Sequence, residues 1–508
     1  MHMHPIASRS SVHLLALLLP LAGACRDQAD TPMAAVPTET TALLQSANPA
    51  TSVIQDERFR SSEARSAALS REVPGFGGFY FDEGGNLHVY VRDMANEGLA
   101  RAAVAQDLAE SRREARGAAA EGPAANPQII VHAAKFEFTQ LADWRNRLTE
   151  PVLKVPGVVY NGLNEPDNVL EVGVDRKRGE SVRAHVMRTA ASLGIPDDAI
   201  LVALTDVICP VQSESCDPCT VDPASCETDP CAIDPSSCPA PDPEPCTTEC
   251  PVEPTDPSYI ITPGDPSYSI VRPGNTGTYS LGAKFPGLGG AMRIRNYGKP
   301  SACTLGFAAI YKGVAAIATN SHCTLTEEYN DNSPFYQPSW SHAEVAREYV
   351  DSYRRTWSRR IADLALGRAV SGTNVYLGYV AHPRGRYAVK GDTLVSTTEP
   401  WFRITGEGAP RYNYVFEKVG ATTGWTAGYA KKVCYDTSTY SCATWVQAGA
   451  DHGDSGAPVL RWYGANQGVL LVGMVYAKAD GGFWMNPMSQ IRTYLNATGA
   501  QAGDLRTY

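Results

Sequence analysis

Three short stretches carry residue types that together could perform nucleophilic catalysis. Gly453-Asp454-Ser455-Gly456-Ala457-Pro458 sets a serine between glycines, where a tight loop can expose the hydroxyl and turn backbone N–H groups toward one point. A hydroxyl is a poor nucleophile unless a base removes its proton and the resulting oxyanion is stabilised. Ser321-His322-Cys323 closes the apolar run Ala315-Ala316-Ile317-Ala318. An imidazole titrates near neutrality, so it can act as base and then as acid. In Ile361-Ala362-Asp363-Leu364-Ala365-Leu366 a carboxylate sits inside an apolar run. That placement is costly unless the charge is paired, and orienting an imidazole would pair it.

The surrounding elements must bring these stretches together. Apolar or alternating runs at 305–314, 374–380, 414–419, 444–447, 457–460 and 469–476 are divided by Gly, Asn and Pro. They predict short strands, and about 215 residues of such spacing suit a sandwich or a pair of barrels.

With these residues in this order, the segment of about 279–495 resembles the trypsin/chymotrypsin-like serine peptidases of exported bacterial proteins. The order His322, Asp363, Ser455 is the family's, and so are the separations of 41 and 92 residues. Lys418-Val419-Gly420-Ala421-Thr422-Thr423-Gly424-Trp425 resembles the strand that opens the family's second barrel, and 484–495 its closing strand and C-terminal helix. The resemblance implies a double six-stranded β-barrel domain over 279–508. In it Ser455 would attack a peptide carbonyl, His322 would move the proton and Asp363 would hold the imidazole. The N–H groups of Gly453 and Ser455 would form an oxyanion hole, worth roughly 3 kcal/mol per donor. It also implies a Cys303–Cys323 disulfide beside His322, with Cys434 and Cys442 bridging a hairpin that differs from most relatives. The pocket position that reads the substrate side chain falls on Gly449, which argues against an Arg/Lys preference. Tyr476-Ala477-Lys478 falls on the substrate-pairing strand, with Lys478 replacing a small residue. A small or medium apolar side chain is the expected preference. No Ile-Val-Gly-Gly start occurs near 275–290, so Asp454 needs a partner other than a new N-terminus.

Upstream, 73–204 alternates strand and helix signals and reads as a small α/β or α+β domain. A hairpin over 78–91, helices at 99–116, 138–148 and 181–192, and strands at 129–131, 169–174 and 200–202 are expected. His88, His132 and His185 read as lone histidines. By the resemblance this domain is a candidate pro-region, and an interaction module is the alternative. Residues 206–275 form a linker whose 206–257 portion holds 12 Pro, 12 acids and eight Cys. Pro and Asp at that density oppose helix and sheet.

Lys and Arg total 44 against 54 Asp and Glu, a net charge of −10. The acids of 206–256 account for that excess, leaving the rest near +2, which gives no footprint for nucleic acid. Residues 1–24 read as an export signal, with Arg9, an apolar run at 14–21 and Ala22-Gly23-Ala24 before Cys25. Around ten apolar residues cannot span a bilayer. Leu21-Ala22-Gly23-Ala24-Cys25 also resembles a bacterial lipoprotein signal, with Cys25 as the acylated residue. Ordinary cleavage before an incidental cysteine is the alternative. The chain has 13 Cys, and lipidation of Cys25 would leave 12 able to pair. Residues 25–70 read as a flexible tether. The expected product is therefore an outer-membrane lipoprotein or a secreted or periplasmic serine endopeptidase. It would act on proteins or peptides, with no cofactor or metal and with membrane contact only through the acyl anchor. A second reading is a catalytically idle barrel protein that binds proteins.

Overall fold

The computed structural model describes residues 62–115, 127–210, 269–273, 279–352, 359–462, 468–501 and 503–508. The expected signal, Cys25 and positions 211–268 of the linker lie outside the described residues.

In the C-terminal half the alternating runs become strands because every second residue is apolar and faces a core. Val415–Gly420, Gly424–Thr437, Ala443–Val446, Gly482–Pro487, Val469–Ala479 and Pro458–Trp462 pair in that order, all antiparallel. The last returns to the first. This ring is a closed six-stranded barrel with no free edge. Cys303–Thr304, Arg293–Asn296, Pro334–Tyr336, Glu344–Asp351, Ala365–Ala369, Val314–Thr319 and Phe307–Tyr311 pair in succession as an open half-barrel. The two share one apolar cluster in which Phe307, Leu364 and Leu366 meet Val419, Leu460 and Met474. The helix Met488–Ala497 closes the domain by burying Met488, Ile491, Tyr494 and Leu495. The architecture is the expected all-β one, of the chymotrypsin kind, preceded by a small α/β region.

That α/β region repeats one plan. Phe76–Phe81, Leu87–Val91, the helix Glu97–Ala115 and Ile129–Ala133 make a sheet with one antiparallel and one parallel pairing. Val158–Asn164, Val169–Asp175, the helix Gly179–Ser192 and Ile200–Thr205 do the same. The expected hairpin, strands and helices at 99–116 and 181–192 overlap these elements, and the helix expected at 138–148 lies within Phe138–Leu153; a further helix and a further strand were not foreseen. A helix at Ser62–Glu72 lies where a flexible tether was expected, and its Leu69 is buried. The strand Val158–Asn164 interrupts a stretch rich in Asn and Gly that carries no clean alternation. His88 and His132 are not alone either. Their Nδ1 and Nε2 atoms lie 2.8 Å apart, and Asp82 Oδ2 is 3.2 Å from His88 Nε2. His185 is exposed.

The unforeseen strand joins the two halves of the molecule. Asn161 and Tyr160 pair antiparallel with Asp436 and Thr437, so the α/β sheet continues into the long barrel strand. Tyr160 packs edge-on against Tyr435, and Lys432 Nζ reaches Glu171 Oε1 at 2.5 Å. The first sheet adds a second contact, where Asn413 donates to the Phe81 carbonyl and Lys431 pairs with Glu83. A side chain at Gly162 has no room, because a Cβ there would lie 2.4 Å from the Tyr435 ring. Gly162→Val is therefore expected to destabilise this junction by about 1–3 kcal/mol through overpacking. Calorimetry should show a lower melting temperature.

Candidate active site

His322 lies in the 3₁₀ turn Ser321–Cys323 that ends the strand Val314–Thr319. The neighbouring strand Ala365–Ala369 pairs with Val314–Thr319 and begins two residues after Asp363, which sets the carboxyl beside the imidazole. Ser455 comes from the other barrel, in the turn before Pro458–Trp462. His322 Nδ1 is 2.5 Å from Asp363 Oδ2, and Nε2 is 2.8 Å from Ser455 Oγ. With the ring proton on Nδ1, Nε2 is free to accept the serine proton. Asp363 and Ser455 are fully buried and His322 is 7% exposed. The expected Cys303–Cys323 disulfide anchors the turn that carries His322, and Cys434 is bonded to Cys442.

Five residues hold Asp363. Beyond the imidazole, the Tyr440 hydroxyl donates to Oδ2 at 2.9 Å and the His322 backbone N–H reaches Oδ1 at 3.3 Å. Asn486 Oδ1 accepts from the Asp363 backbone N–H, and Asn320 Nδ2 donates to its carbonyl. Arg360 Nη2 stands 3.7 Å from Oδ1. Burial alone would raise this carboxyl. The charges of His322 and Arg360, with hydrogen bonds from His322 and Tyr440, outweigh it and hold the group well below the usual carboxylate range.

The serine loop is pinned by Thr304. Its backbone N–H donates to the Ser455 carbonyl and its hydroxyl to the Gly453 carbonyl, at 2.8 and 2.7 Å. With those carbonyls turned inward, the N–H groups of Gly453 and Ser455 take no partner among the described residues. Gly453 has φ +91°, and a Cβ there would lie 2.4 Å from Thr422 Oγ1, so only glycine fits.

Asp454 finds its partner inside the chain. Lys418 Nζ stands 3.0 Å from Asp454 Oδ2, and both side chains are fully buried. Thr423 Oγ1 donates to Oδ2, while the N–H groups of Thr422 and Thr423 donate to Oδ1. Lys418 is therefore the internal cation that answers the need of Asp454 for a partner other than a new N-terminus. Burial lowers the Lys418 ammonium and Asp454 partly restores it. The sequence offered a signal that was overlooked: a lysine inside the apolar run 414–419, as anomalous as Asp363 in its own run.

The expected pocket residues separate. Gly449 is wedged against the Val389 backbone, donating to the Ala388 carbonyl at 2.8 Å. Lys478 pairs with Asp451 at 2.7 Å. Both line a cavity of about 610 Å³ together with Val389, Lys390, Lys177 of the α/β region and Cys209, where the first residues of the linker form a short strand despite its composition. Tyr476 is absent from that lining; it is 2% exposed and turns its ring onto Tyr440, centroids 4.4 Å apart. The edge of Ala477–Lys478 is occupied, since Cys209–Pro210 pairs with it antiparallel.

Other candidates stay outside the constellation. His382 stacks on Phe402, and burial lowers its imidazole. His342 contacts Ser339 and Ser341. Asp351, another buried acid in the chain between His322 and Asp363, accepts from Thr324 Oγ1 at 3.1 Å and faces Glu348. Burial and the neighbouring Asp331 and Asp351 push Glu348 up to about 9, so it stays a neutral acid between two carboxylates.

No sequence family and no curated relative matches the chain. Among solved structures it is similar to Thermobifida fusca protease A, at 18% identity and TM-score 0.30 over 44% of this chain and all of that one. It is also similar to a glutamic acid-specific serine protease, at 16% identity and TM-score 0.31 over 44% of this chain and all of the other. For Cellulomonas bogoriensis chymotrypsin the values are 17% and 0.29, over 43% of this chain and 97% of that one.

Lys418→Met leaves Asp454 as an unpaired buried charge. It should cost about 3–5 kcal/mol of stability, read as a fall in the denaturation midpoint. Glu348 carries the opposite sign of effect. Its folded pKa, about 9, lies above its ordinary 4.5, so the fold binds a proton that the unfolded chain releases, and stability falls as pH rises between these values. Glu348→Gln keeps a donor without the proton demand. It should raise the melting temperature by a few degrees near pH 8 and leave it unchanged near pH 4.

Proposed function

We propose that this chain is an exported serine endopeptidase that cleaves peptide bonds through an acyl-enzyme on Ser455. The observation that carries this reading is the continuous Ser455–His322–Asp363 hydrogen-bonded chain across the two barrels. His322 takes the serine proton as Oγ attacks the substrate carbonyl and returns it to the leaving amine, and water then repeats the sequence to release the acyl group. Asp363 holds the proton on Nδ1 and stabilises the imidazolium formed in between. The amides of Gly453 and Ser455 receive the oxyanion. The two disulfides suit an oxidising compartment, and with the signal-like N-terminus they support export. Acylation of Cys25 belongs to the same reading, as does a protein or peptide substrate with an uncharged side chain in the pocket.

The α/β domain acts in this reading as a pro-region. The strand Cys209–Pro210, at the start of the linker that follows it, lies along Ala477–Lys478, the edge on which the resemblance places the substrate. Cleavage of the linker after it would free the cleft.

A fluorophosphonate probe tests both parts. Protein expressed as the full chain and allowed to mature should label, and Ser455→Ala should abolish labelling. The wild-type chain should release a fragment carrying the barrels, while Ser455→Ala keeps the mass of the chain left after removal of the export signal. Folded, processed protein that fails to label would favour the idle binding module.

A further inference from the structure

Behind the triad lies a buried assembly that the serine chemistry as described does not use. The disulfide-closed hairpin 434–442 brings Tyr440 beneath Asp363. Backbone bonds stitch the hairpin tip to Arg360: the Arg360 N–H donates to the Thr439 carbonyl at 2.7 Å, and the Ser441 N–H to the Arg360 carbonyl at 2.9 Å. Arg360 is 1% exposed. Its guanidinium donates to the Ser352 carbonyl and hydroxyl at 2.7 and 2.9 Å, to Glu327 at 2.5 Å, and at 3.4 Å to the Tyr440 hydroxyl. Tyr440 is 6% exposed, and its O–H accepts from Arg360 and donates to Asp363 Oδ2. Cation, phenol, carboxylate and imidazole therefore form one line ending at Ser455.

We propose that Tyr440, polarised by Arg360, is a positioning residue for the triad carboxylate. This rests on the reading of Ser455 as a nucleophile. Two physical consequences separate this role from packing. Tyr440 and the His322 Nδ1–H converge on the same oxygen, so the phenol fixes the carboxylate rotation that aims Oδ2 at the imidazole. A donor and a cation at the carboxylate also draw off negative charge that would otherwise stabilise the imidazolium, the form unable to act as base. The other charged groups around this line are Asp351 on the strand Glu344–Asp351, and Glu327 and Glu328 after the His322 turn. Tyr476 turns its ring onto Tyr440. The hairpin that presents Tyr440 is also the one that the α/β strand Val158–Asn164 extends, at Asp436 and Thr437.

The test is the second-order rate of fluorophosphonate labelling against pH for protein expressed as the full chain, in Tyr440→Phe and Arg360→Gln. Tyr440→Phe keeps the ring between Arg360 and Tyr476. Its rate should fall roughly tenfold near pH 6, and the acid limb should move to higher pH so that the loss shrinks above pH 8. Arg360→Gln should move the limb in the same direction, which preserves the test should the phenylalanine variant fail to fold by circular dichroism. Wild-type limbs in both folded variants, or a loss equal at every pH, would overturn the proposal. Absence of Ser455-dependent labelling in the wild type would instead overturn the peptidase reading on which it rests.

Discussion

A carboxylate with no access to solvent governs this structure. Asp363 can remain charged at full burial only if donors and cations converge on it, since an unpaired ion there would cost several kcal/mol or shed its charge. Each group that answers this demand comes from a different part of the chain: His322 from a turn beyond a half-barrel strand, Tyr440 from a disulfide-closed hairpin, Arg360 from the segment just upstream. Their convergence fixes how the two barrels meet, and the serine then falls within reach of the imidazole.

The same logic recurs one step away. Asp454 is a second fully buried acid, satisfied by Lys418, the Thr423 hydroxyl and the backbone amides of Thr422, Thr423 and Asp451, and the glycine-flanked turn around it sets the amides expected to face an oxyanion. Two buried acids, each matched by a buried cation, frame the serine from opposite sides. Glu348 resolves its burial differently, by keeping its proton between two other carboxyls.

Much of this was legible in the sequence because anomalies stand out against periodic runs. Asp363 inside an apolar run, a serine between glycines and a histidine at a strand end all mark themselves, and the alternating strands of the barrels do so through their period of two. Other features were hidden for physical reasons. Tyr440 lies in a polar hairpin whose sequence looks like any surface loop, and only the fold turns it inward. Arg360 sits beside a charged stretch and reads as solvated. The strand Val158–Asn164 carries Asn161 and Gly162 where alternation would want apolar residues, because its partner is a tyrosine-rich strand of another domain that needs the space. The helix at Ser62–Glu72 has polar composition and gains its order from packing Leu69 and from the Arg145–Glu63 and Arg65–Asp107 ion pairs.

The internal lysine has a consequence for timing. When a catalytic pocket waits for a freshly cut terminus to swing in, competence is withheld by incomplete assembly, and the unprocessed chain is misshapen where it matters. Here Lys418 is covalently present in the strand that opens the closed barrel, so the Asp454 loop beside Ser455 is braced as soon as that barrel forms, without a cut in the chain.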